Sequence, residues 1–388
     1  MNVLRVSREG HPLQFVHSGN RVTITLDSSS RSEEQRSYSI SYQGTPADGL
    51  IIGTNKWGER TFFGDNWPDR ARHWIPTVDH VSDKATVEWL VTAPEDYEVV
   101  GTGTLVERSD LPDGTEFTHW ASHVPIPTKV MVMGAARFAI RTTGYVEGIP
   151  IQAWVFPRDR EAGFLDFAQA EKAVRFFHER VGPFPYAKLA NVQSKTRYGG
   201  MENAGNIFYS ERAIRGDLSN EGLIVHEIAH QWFGDSVTEL DWNHIWLSEG
   251  FATYFTHLYN EANYGRERLV QGLLRDRNTV SGFYSQYPDQ ALVALQLTDP
   301  NDMLNRNAYQ KGSWVLHMLR RQVGDENFWA GIREYYARYR DGSALTKDLR
   351  LVMEEVSGQD LEDFFHQWVF TPGHPKLEGQ WSYDTSSG

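Results

Sequence analysis

Short runs in which apolar and polar residues alternate occupy the first 143 residues, a pattern typical of β-strands. These runs cover residues 21–26, 37–42, 86–93, 98–107 and 115–122. Gly, Pro, Asp and Ser separate the runs, and the segment LPDG at 111–114 is a hairpin signal. We therefore predict an all-β N-terminal domain over residues 1–143.

From about residue 160 the apolar positions recur at the spacing of α-helices. The runs with this period lie at 159–181, 219–233, 247–262, 308–323, 325–340, 346–356 and 360–368. A few strands are predicted at 145–157 and around 190–208. The pattern predicts an α+β, multidomain protein whose second, mostly helical domain spans 144–372. Residues 373–388 leave the helical pattern and are predicted to be a tail or the start of a further domain.

Composition and charge exclude several classes of protein. The chain has 388 residues, a formal net charge of −13 and no cysteine, so it forms no disulfides. No basic block is interleaved with aromatic residues, which argues against a nucleic-acid partner. No apolar run approaches the roughly 20 residues of a membrane span. The first ten residues do not resemble a signal peptide, and both a cytoplasmic and an exported location remain open.

The most informative residues are His226, Glu227 and His230, which form an H-E-x-x-H motif, together with Glu249 further along the chain. On a helix, residues four apart share a face, so both histidines reach one metal ion. Two histidines and a carboxylate leave a fourth coordination position free, as in catalytic zinc sites. We predict one Zn²⁺ per chain, bound by His226, His230 and Glu249.

Each part of this pattern also has a simpler explanation. Glu249 lies at the start of an amphipathic run, where an exposed carboxylate is favoured by the helix dipole. A lone H-E-x-x-H motif also occurs by chance. The joint occurrence of both features with the motifs described next favours the metal site.

Four segments together resemble the aminopeptidase N family of gluzincin zinc metallopeptidases. They are the zinc motif HEIAHQWFGDSVTELDWNHIWLSEGFATYF from residue 226, GGMEN at 199–203, YQKG at 309–312, and DRARHWIPTVDHVSDKATVEW at 69–89. The resemblance runs in order from about residue 21 to residue 372. It implies a thermolysin-like catalytic domain, in a compact or truncated member of the family.

The resemblance also implies a reaction, the hydrolysis of the N-terminal peptide bond of a peptide. Glu227 would be the general base for a water activated by zinc, and Tyr309 would donate its hydroxyl to the oxyanion. Glu202 would bind the free N-terminal amine of the substrate. Without the resemblance, Tyr309 would read as a core aromatic residue and the glycine pair as a turn.

Further substrate contacts follow from the same resemblance. Gly199 and Gly200 would allow the peptide to approach the backbone closely, with Met201 and Asn203 completing the motif. Tyr198 matches a position that lines the pocket for the first side chain. A second contact to the amine would come from Asn66 or Asp65, and we name Asn66 as the candidate.

Two other functions remain compatible with the motifs. A thermolysin-like endopeptidase shares the zinc motif but has no need of Glu202. A non-catalytic interaction module of the same fold is the other alternative, although all the metal ligands and the base are present here.

Overall fold

The computed structural model describes residues 1–375 and 378–382, and it begins with a strand-rich N-terminal domain, as predicted. Its strands are β1 (Asn2–Arg8), β2 (His11–Pro12), β3 (Phe15–Ser18), β4 (Arg21–Ile24), β5 (Ser39–Gln43), β6 (Leu50–Thr54), β7 (Arg60–Gly64), β8 (Lys84–Pro94), β9 (Glu98–Gly101), β10 (Thr104–Asp110), β11 (Thr115–Pro127) and β12 (Met133–Ala136). They form sheets of order β2-β1-β5, β10-β11-β8 and β6-β7-β12-β9, together with the hairpin β3-β4.

Local chemistry explains both the strands and their breaks. The LPDG turn joins β10 to β11 as predicted, and Gly114 takes a positive φ of 77° there. The single strand predicted over 98–107 is wrong, because the chain breaks into β9 and β10 at Gly103. That glycine has a φ of 96°, and a Cβ there would lie 2.0 Å from the Ala121 carbonyl oxygen.

The second domain is built on a five-stranded sheet. Its strands are β13 (Ala139–Val146), β14 (Ile149–Val155), β15 (Leu189–Ser194), β16 (Gly200–Met201) and β17 (Asn206–Ser210), in the order β13-β14-β15-β17-β16. The pairs β14-β15 and β15-β17 are parallel, and β15 is buried along its whole length, as expected for a central parallel strand. The short strand β16 forms one edge of the sheet. The predicted domain boundary at 143/144 stays a prediction and falls inside β13.

Helices make up most of the remaining chain. They are α1 (Arg160–Phe167), α2 (Ala170–Arg180), α3 (Glu221–His230), α4 (Trp246–Tyr264), α5 (Arg266–Tyr284), α6 (Pro300–Met303), α7 (Gly312–Val323), α8 (Asp325–Tyr339), α9 (Thr346–Ser357) and α10 (Glu362–Phe365). Two short strands, β18 (Thr238–Glu239) and β19 (Ser343–Ala344), pair in parallel. The predicted fold class is therefore confirmed.

Three predicted details differ from the structure. The helix predicted over 159–181 is two helices, α1 and α2, and α5 was not predicted. Two π-helical turns, Asn307–Lys311 before α7 and His366–Phe370 after α10, replace regular helix. The predicted tail, 373–388, lies partly outside the described residues. None of the described helices is both long and apolar enough to cross a lipid bilayer.

The two domains share one hydrophobic core. Phe63 of β7 packs edge to face on Phe208 of β17, with ring centroids 5.4 Å apart. Thr196 donates a hydrogen bond to Asp65 at 3.0 Å, which ties the chain after β15 to the chain after β7. The N-terminal domain thereby forms one wall of the cavity described next.

Candidate active site

Helices α3 and α4 bring the three predicted metal ligands together. His226 and His230 lie one turn apart on α3, and Glu249 lies in the first turn of α4. The two histidine Nε2 atoms are 3.2 Å apart, and Glu249 Oε2 lies 3.4 Å from that of His226 and 3.3 Å from that of His230. Three ligand atoms from two helices therefore converge on one point.

The donor set fits a zinc ion. Ligands about 2.0–2.1 Å from a tetrahedral zinc are separated from one another by roughly 3.3–3.4 Å, close to the three separations in this site. The Oε2 atom of Glu249 is buried and has no hydrogen-bond partner in the described part of the chain. Burying a carboxylate oxygen without a partner has a high cost in free energy unless a cation binds to it.

The charges of these residues also suit a cation. Burial lowers the pKa of His226, which favours the neutral ring that a metal requires. Burial alone would lower the pKa of His230, but the Glu249 carboxylate raises it to about 10, so a metal that binds this ring displaces a proton from it. Burial opposes ionisation of Glu249, yet the two histidines hold its pKa well below the usual range. Glu249 is therefore ionised.

A second layer of contacts orients His230. Its Nδ1 atom lies 3.2 Å from the Phe233 carbonyl oxygen and 3.0 Å from Ser248 Oγ. The carbonyl can only accept, so Nδ1 carries the proton and Nε2 presents its lone pair to the metal position. The sequence did not single out Ser248, which directly precedes Glu249 on α4.

Glu227 lies beside the ligands on α3. It is 5% exposed, and its carboxyl group packs on Gly200, where a Cβ would lie 2.5 Å from the Glu227 carboxyl carbon. Burial raises the pKa of Glu227 well above its usual value, against the opposing charge of His230. Because Gly200 has no side chain, the Glu227 carboxyl group fits against its backbone.

The GGMEN segment places a second carboxylate in the same cavity. Glu202 directly follows β16 and is 6% exposed, and one of its carboxylate oxygens lies within 4.8 Å of a carboxylate oxygen of Glu227 and of a ring nitrogen of His230. The side-chain oxygens of Glu202 accept no hydrogen bond from the described residues. Gln231, next to His230, fixes the segment by donating from Nε2 to the Glu202 carbonyl oxygen at 2.7 Å.

Asn203 completes the motif without facing the cavity. Its side chain is fully buried, and neither amide atom has a hydrogen-bond partner among the described residues. Met201, Gly199 and Gly200 do line the cavity.

Tyr309 lines the same cavity, beside His226. Its ring stacks on that of His226 with centroids 6.0 Å apart and planes at 15°. Burial, followed by the Glu249 charge, raises the pKa of the phenol well above its usual value, so the hydroxyl remains a donor. The residue lies in the π-helical turn Asn307–Lys311, a distortion that frequently marks functional sites.

A contact between two glycines sets the distance from Tyr309 to Glu249. A Cβ on Gly312, at the start of α7, would lie 2.8 Å from the Gly250 Cα of α4. The two helices therefore cross backbone to backbone, directly beside both functional residues. The sequence showed Gly312 only as part of the YQKG motif and did not reveal its partner.

Together these residues enclose a cavity of about 260 Å³. It is lined by Trp67, Tyr198, Gly199, Gly200, Met201, Glu202, Leu223, His226, Glu227, His230, Glu249, Leu304 and Tyr309. Tyr198 packs edge to face on Trp67, at a centroid distance of 5.9 Å. Sequence reasoning missed Trp67, although it directly follows the candidate Asn66.

Asn66 and Asp65 are not among the lining residues. Asn66 donates from Nδ2 to the carbonyl oxygens of Thr128 and Met131, at 2.9 and 2.6 Å, and accepts from Trp74. Asp65 is committed to Arg70 and Thr196. Their side chains are satisfied by the protein, and the structure does not bring them to the metal position.

Comparison with known proteins agrees with this geometry. The model of the Peptidase family M1 domain matches residues 166–368, and that of the Peptidase M1 N-terminal domain matches residues 5–130. The chain belongs to peptidase family M1. The resemblance to the aminopeptidase N family of gluzincins is thereby confirmed.

Two relatives illustrate the likeness. A leucyl aminopeptidase of Saccharolobus solfataricus is 26% identical over 97% of this chain and 49% of its own length. The human (Homo sapiens) thyrotropin-releasing hormone-degrading ectoenzyme is 28% identical over 82% of this chain and 32% of its own length. The chain thus spans about half or less of these two relatives.

Solved structures show the same fold. An M1 zinc metallopeptidase from Deinococcus radiodurans superposes with a TM-score of 0.83 and 24% identity, over 97% of this chain and 85% of that one. Yeast LTA4 hydrolase gives a TM-score of 0.85 and 22% identity, over 97% of this chain and 62% of that one. The fold of the two domains together therefore occurs in solved structures.

Proposed function

We propose that this chain is a zinc-dependent aminopeptidase that hydrolyses the N-terminal peptide bond of peptides. One observation carries the proposal: a second buried carboxylate, Glu202, lies within 4.8 Å of both Glu227 and the metal ligand His230. A carboxylate there suits the ammonium group of a free N-terminus. An ammonium held so close to the metal position places the scissile bond one residue into the peptide.

The cofactor is one zinc ion per chain, held by His226, His230 and Glu249. When bound there, zinc would act as a Lewis acid that polarises the scissile carbonyl and lowers the pKa of the attacking water. Every other part of the chemistry falls to side chains of the chain itself.

Glu227 takes the proton from the attacking water and passes it to the leaving amine. Tyr309 donates its hydroxyl hydrogen to the carbonyl oxygen as negative charge develops there. Glu202 holds the substrate ammonium, and an extra residue at the N-terminus would place a neutral amide against this buried carboxylate. The substrates are therefore peptides with a free N-terminal amine.

The test is a comparison of free and N-acetylated forms of one peptide, with and without a chelator. The wild-type protein should release the first residue of the free peptide only, and the chelator should abolish the release. An endopeptidase would cut both forms.

Glu202→Ala should reduce the discrimination between the two forms, mainly through weaker binding and a misplaced scissile bond. Glu202→Gln keeps the shape and removes the charge, so it should behave similarly. Glu267→Ala, on the exposed side of α5, is the matched control and should change nothing. An unchanged free-to-acetylated ratio in Glu202→Ala would place the amine anchor elsewhere.

A further inference from the structure

A cleft of about 540 Å³ adjoins the active-site cavity. The two spaces share Tyr198, Gly199 and Leu223 in their walls. The remaining wall of the cleft comes from β15 and the chain after it, and from the segment that follows β17. Four basic residues lie in this wall, Lys195, Arg197, Arg212 and Arg215, with Glu211 as the one acidic lining residue.

Two of the four positive charges are already neutralised. Lys195 Nζ lies 2.8 Å from Glu211 Oε2, and Arg197 forms an ion pair with Asp48. Arg212 and Arg215, by contrast, form no ion pair with a carboxylate among the residues that the structure describes. Arg215 Nη1 donates a hydrogen bond to Ser219 Oγ at 3.2 Å, and the Arg215 charge adds to the Ser219 hydrogen bonds that lower the pKa of the exposed Asp217. In a chain of net charge −13, two guanidinium groups that form no ion pair within the described residues lie on one cleft wall and make a local site for a negative group.

The direction of a bound peptide brings its downstream part to this cleft. Glu202 lies at one end of β16 and Gly199 at the other, while Glu227 contacts Gly200 between them. A peptide whose amine is at Glu202 and whose first bond is at Glu227 runs antiparallel to this edge strand. Its next residues pass Gly199 and Tyr198 and enter the cleft.

We infer that Arg212 and Arg215 bind a carboxylate carried by the peptide downstream of the scissile bond. Short peptides that place a carboxylate at this cleft are therefore preferred substrates. The inference rests on the proposed aminopeptidase function and adds to it a second recognition point. Guanidinium groups suit a carboxylate because their donors match its two oxygens. The carboxylate comes either from the free C-terminus of a short peptide or from an Asp or Glu side chain.

The experiment separates these two sources. Leu-Ala-Ala with a free C-terminus is compared with its C-terminal amide, and the amide of Leu-Ala-Asp is compared with the amide of Leu-Ala-Ala. The same pairs are also tested with one and with two additional alanines. A peptide in a strand conformation advances only about 3.3 Å per residue, so the length of the peptide decides whether its carboxylate reaches the cleft. Hydrolysis is followed by the release of leucine.

For the length that reaches the cleft, the wild-type protein should prefer the carboxylate form by about three- to tenfold in kcat/KM, chiefly through KM, as expected for two solvent-accessible ion pairs. Higher salt should reduce this preference. The double variant Arg212→Gln/Arg215→Gln should lose it while hydrolysing the amides like the wild type. Arg275→Gln, an exposed arginine on α5 away from the cleft, should retain it.

A binding measurement keeps the result independent of turnover. Calorimetric titration of the Glu227→Gln protein with the same peptide pairs should show tighter binding of the carboxylate forms, and this difference should vanish when both arginines are replaced. Equal rates and equal binding of acid and amide at every length would overturn the inference, as would a preference that survives in the double variant. Absence of hydrolysis for all peptides would instead overturn the proposed function, and the titration would still decide this point.

Discussion

Two buried groups of charged residues lie close together in this molecule. They differ in where the positive charge that balances their carboxylates comes from. Between the domains, Lys129 Nζ lies 2.6 Å from Glu239 Oε1, and both side chains are fully buried. In the cavity, Glu202, Glu227 and Glu249 are also buried, but the basic groups beside them are two histidines. The first group contains its own cation, whereas the second has an excess of negative charge.

The surroundings of Lys129 reinforce this contrast. Its ammonium lies 5.4 Å from the centre of the Trp242 ring, a favourable cation–π distance. Burial alone would lower the pKa of Lys129, but Glu239 and then Glu202 raise it above its usual value. A buried charge whose partner is in the chain holds the structure together. A buried charge that lacks a partner in the chain needs one from outside, and we propose that a metal ion and a substrate ammonium are the partners here.

Replacing Glu227 should have the largest effect, and it removes function without removing a metal ligand. Glu227→Gln keeps the shape of the side chain but cannot accept the proton, so turnover should fall by about 10²–10⁴-fold. The zinc content of the purified protein should stay at one per chain. His230→Ala is the contrasting variant, which should lose both zinc and activity. Nearly normal turnover in Glu227→Gln would assign the base elsewhere.

Breaking the ion pair between Lys129 and Glu239 should have the next largest effect, and it acts on the free energy of unfolding. Lys129→Met leaves Glu239 buried without its cation, which should reduce the free energy of unfolding by about 3–5 kcal/mol. The double variant Lys129→Met/Glu239→Leu removes both charges and should recover most of this loss. Denaturant titrations of the two variants check the prediction. A double variant as unstable as the single one would mean that the pair is not a unit.

Removing the Tyr309 hydroxyl should have a slightly smaller effect than the two changes above, and it should lower kcat alone. Tyr309→Phe keeps the ring that stacks on His226 but loses the donor to the oxyanion, which is worth roughly 2.7–4 kcal/mol, or about 10²–10³-fold in kcat. KM should change little, because the interaction acts in the transition state. Tyr287→Phe, on an exposed tyrosine, is the control. A higher KM at constant kcat would show that Tyr309 binds substrate instead.

The smallest effect is expected for Asn66, a buried polar residue whose partners all belong to the protein. Asn66→Ala leaves the Thr128 and Met131 carbonyls without this donor, so the free energy of unfolding should fall by about 1–3 kcal/mol. The preference for free over N-acetylated peptides should stay at the wild-type value, unlike that of Glu202→Ala. A reduced preference would restore Asn66 as the second amine contact.

Local patterns in the sequence were sufficient to name the candidate zinc ligands and to place most helices. His226 and His230 share a face of α3 because of the helical repeat alone, and the apolar period placed α3, α4, α8 and α9 within a few residues. The helix α5 escaped prediction because its apolar positions are interrupted by arginines and polar residues on a half-exposed surface. Periodicity is weakest where a helix covers the core with only a narrow stripe.

The sequence by itself determined the family, the order of the domains, and which residues are the candidate metal ligands and the candidate base, since each depends on residues close together in the chain or on a specific motif. Tertiary structure alone decided which distant groups meet. Lys129 and Glu239 are 110 residues apart, and Gly250 meets Gly312 only because two helices cross there. Such pairings leave no periodic signal, because they depend on how whole elements pack and not on local spacing. The same holds for Arg212 and Arg215, which follow β17 and lie beside the active site because β17 pairs with β16, the edge strand that precedes Glu202.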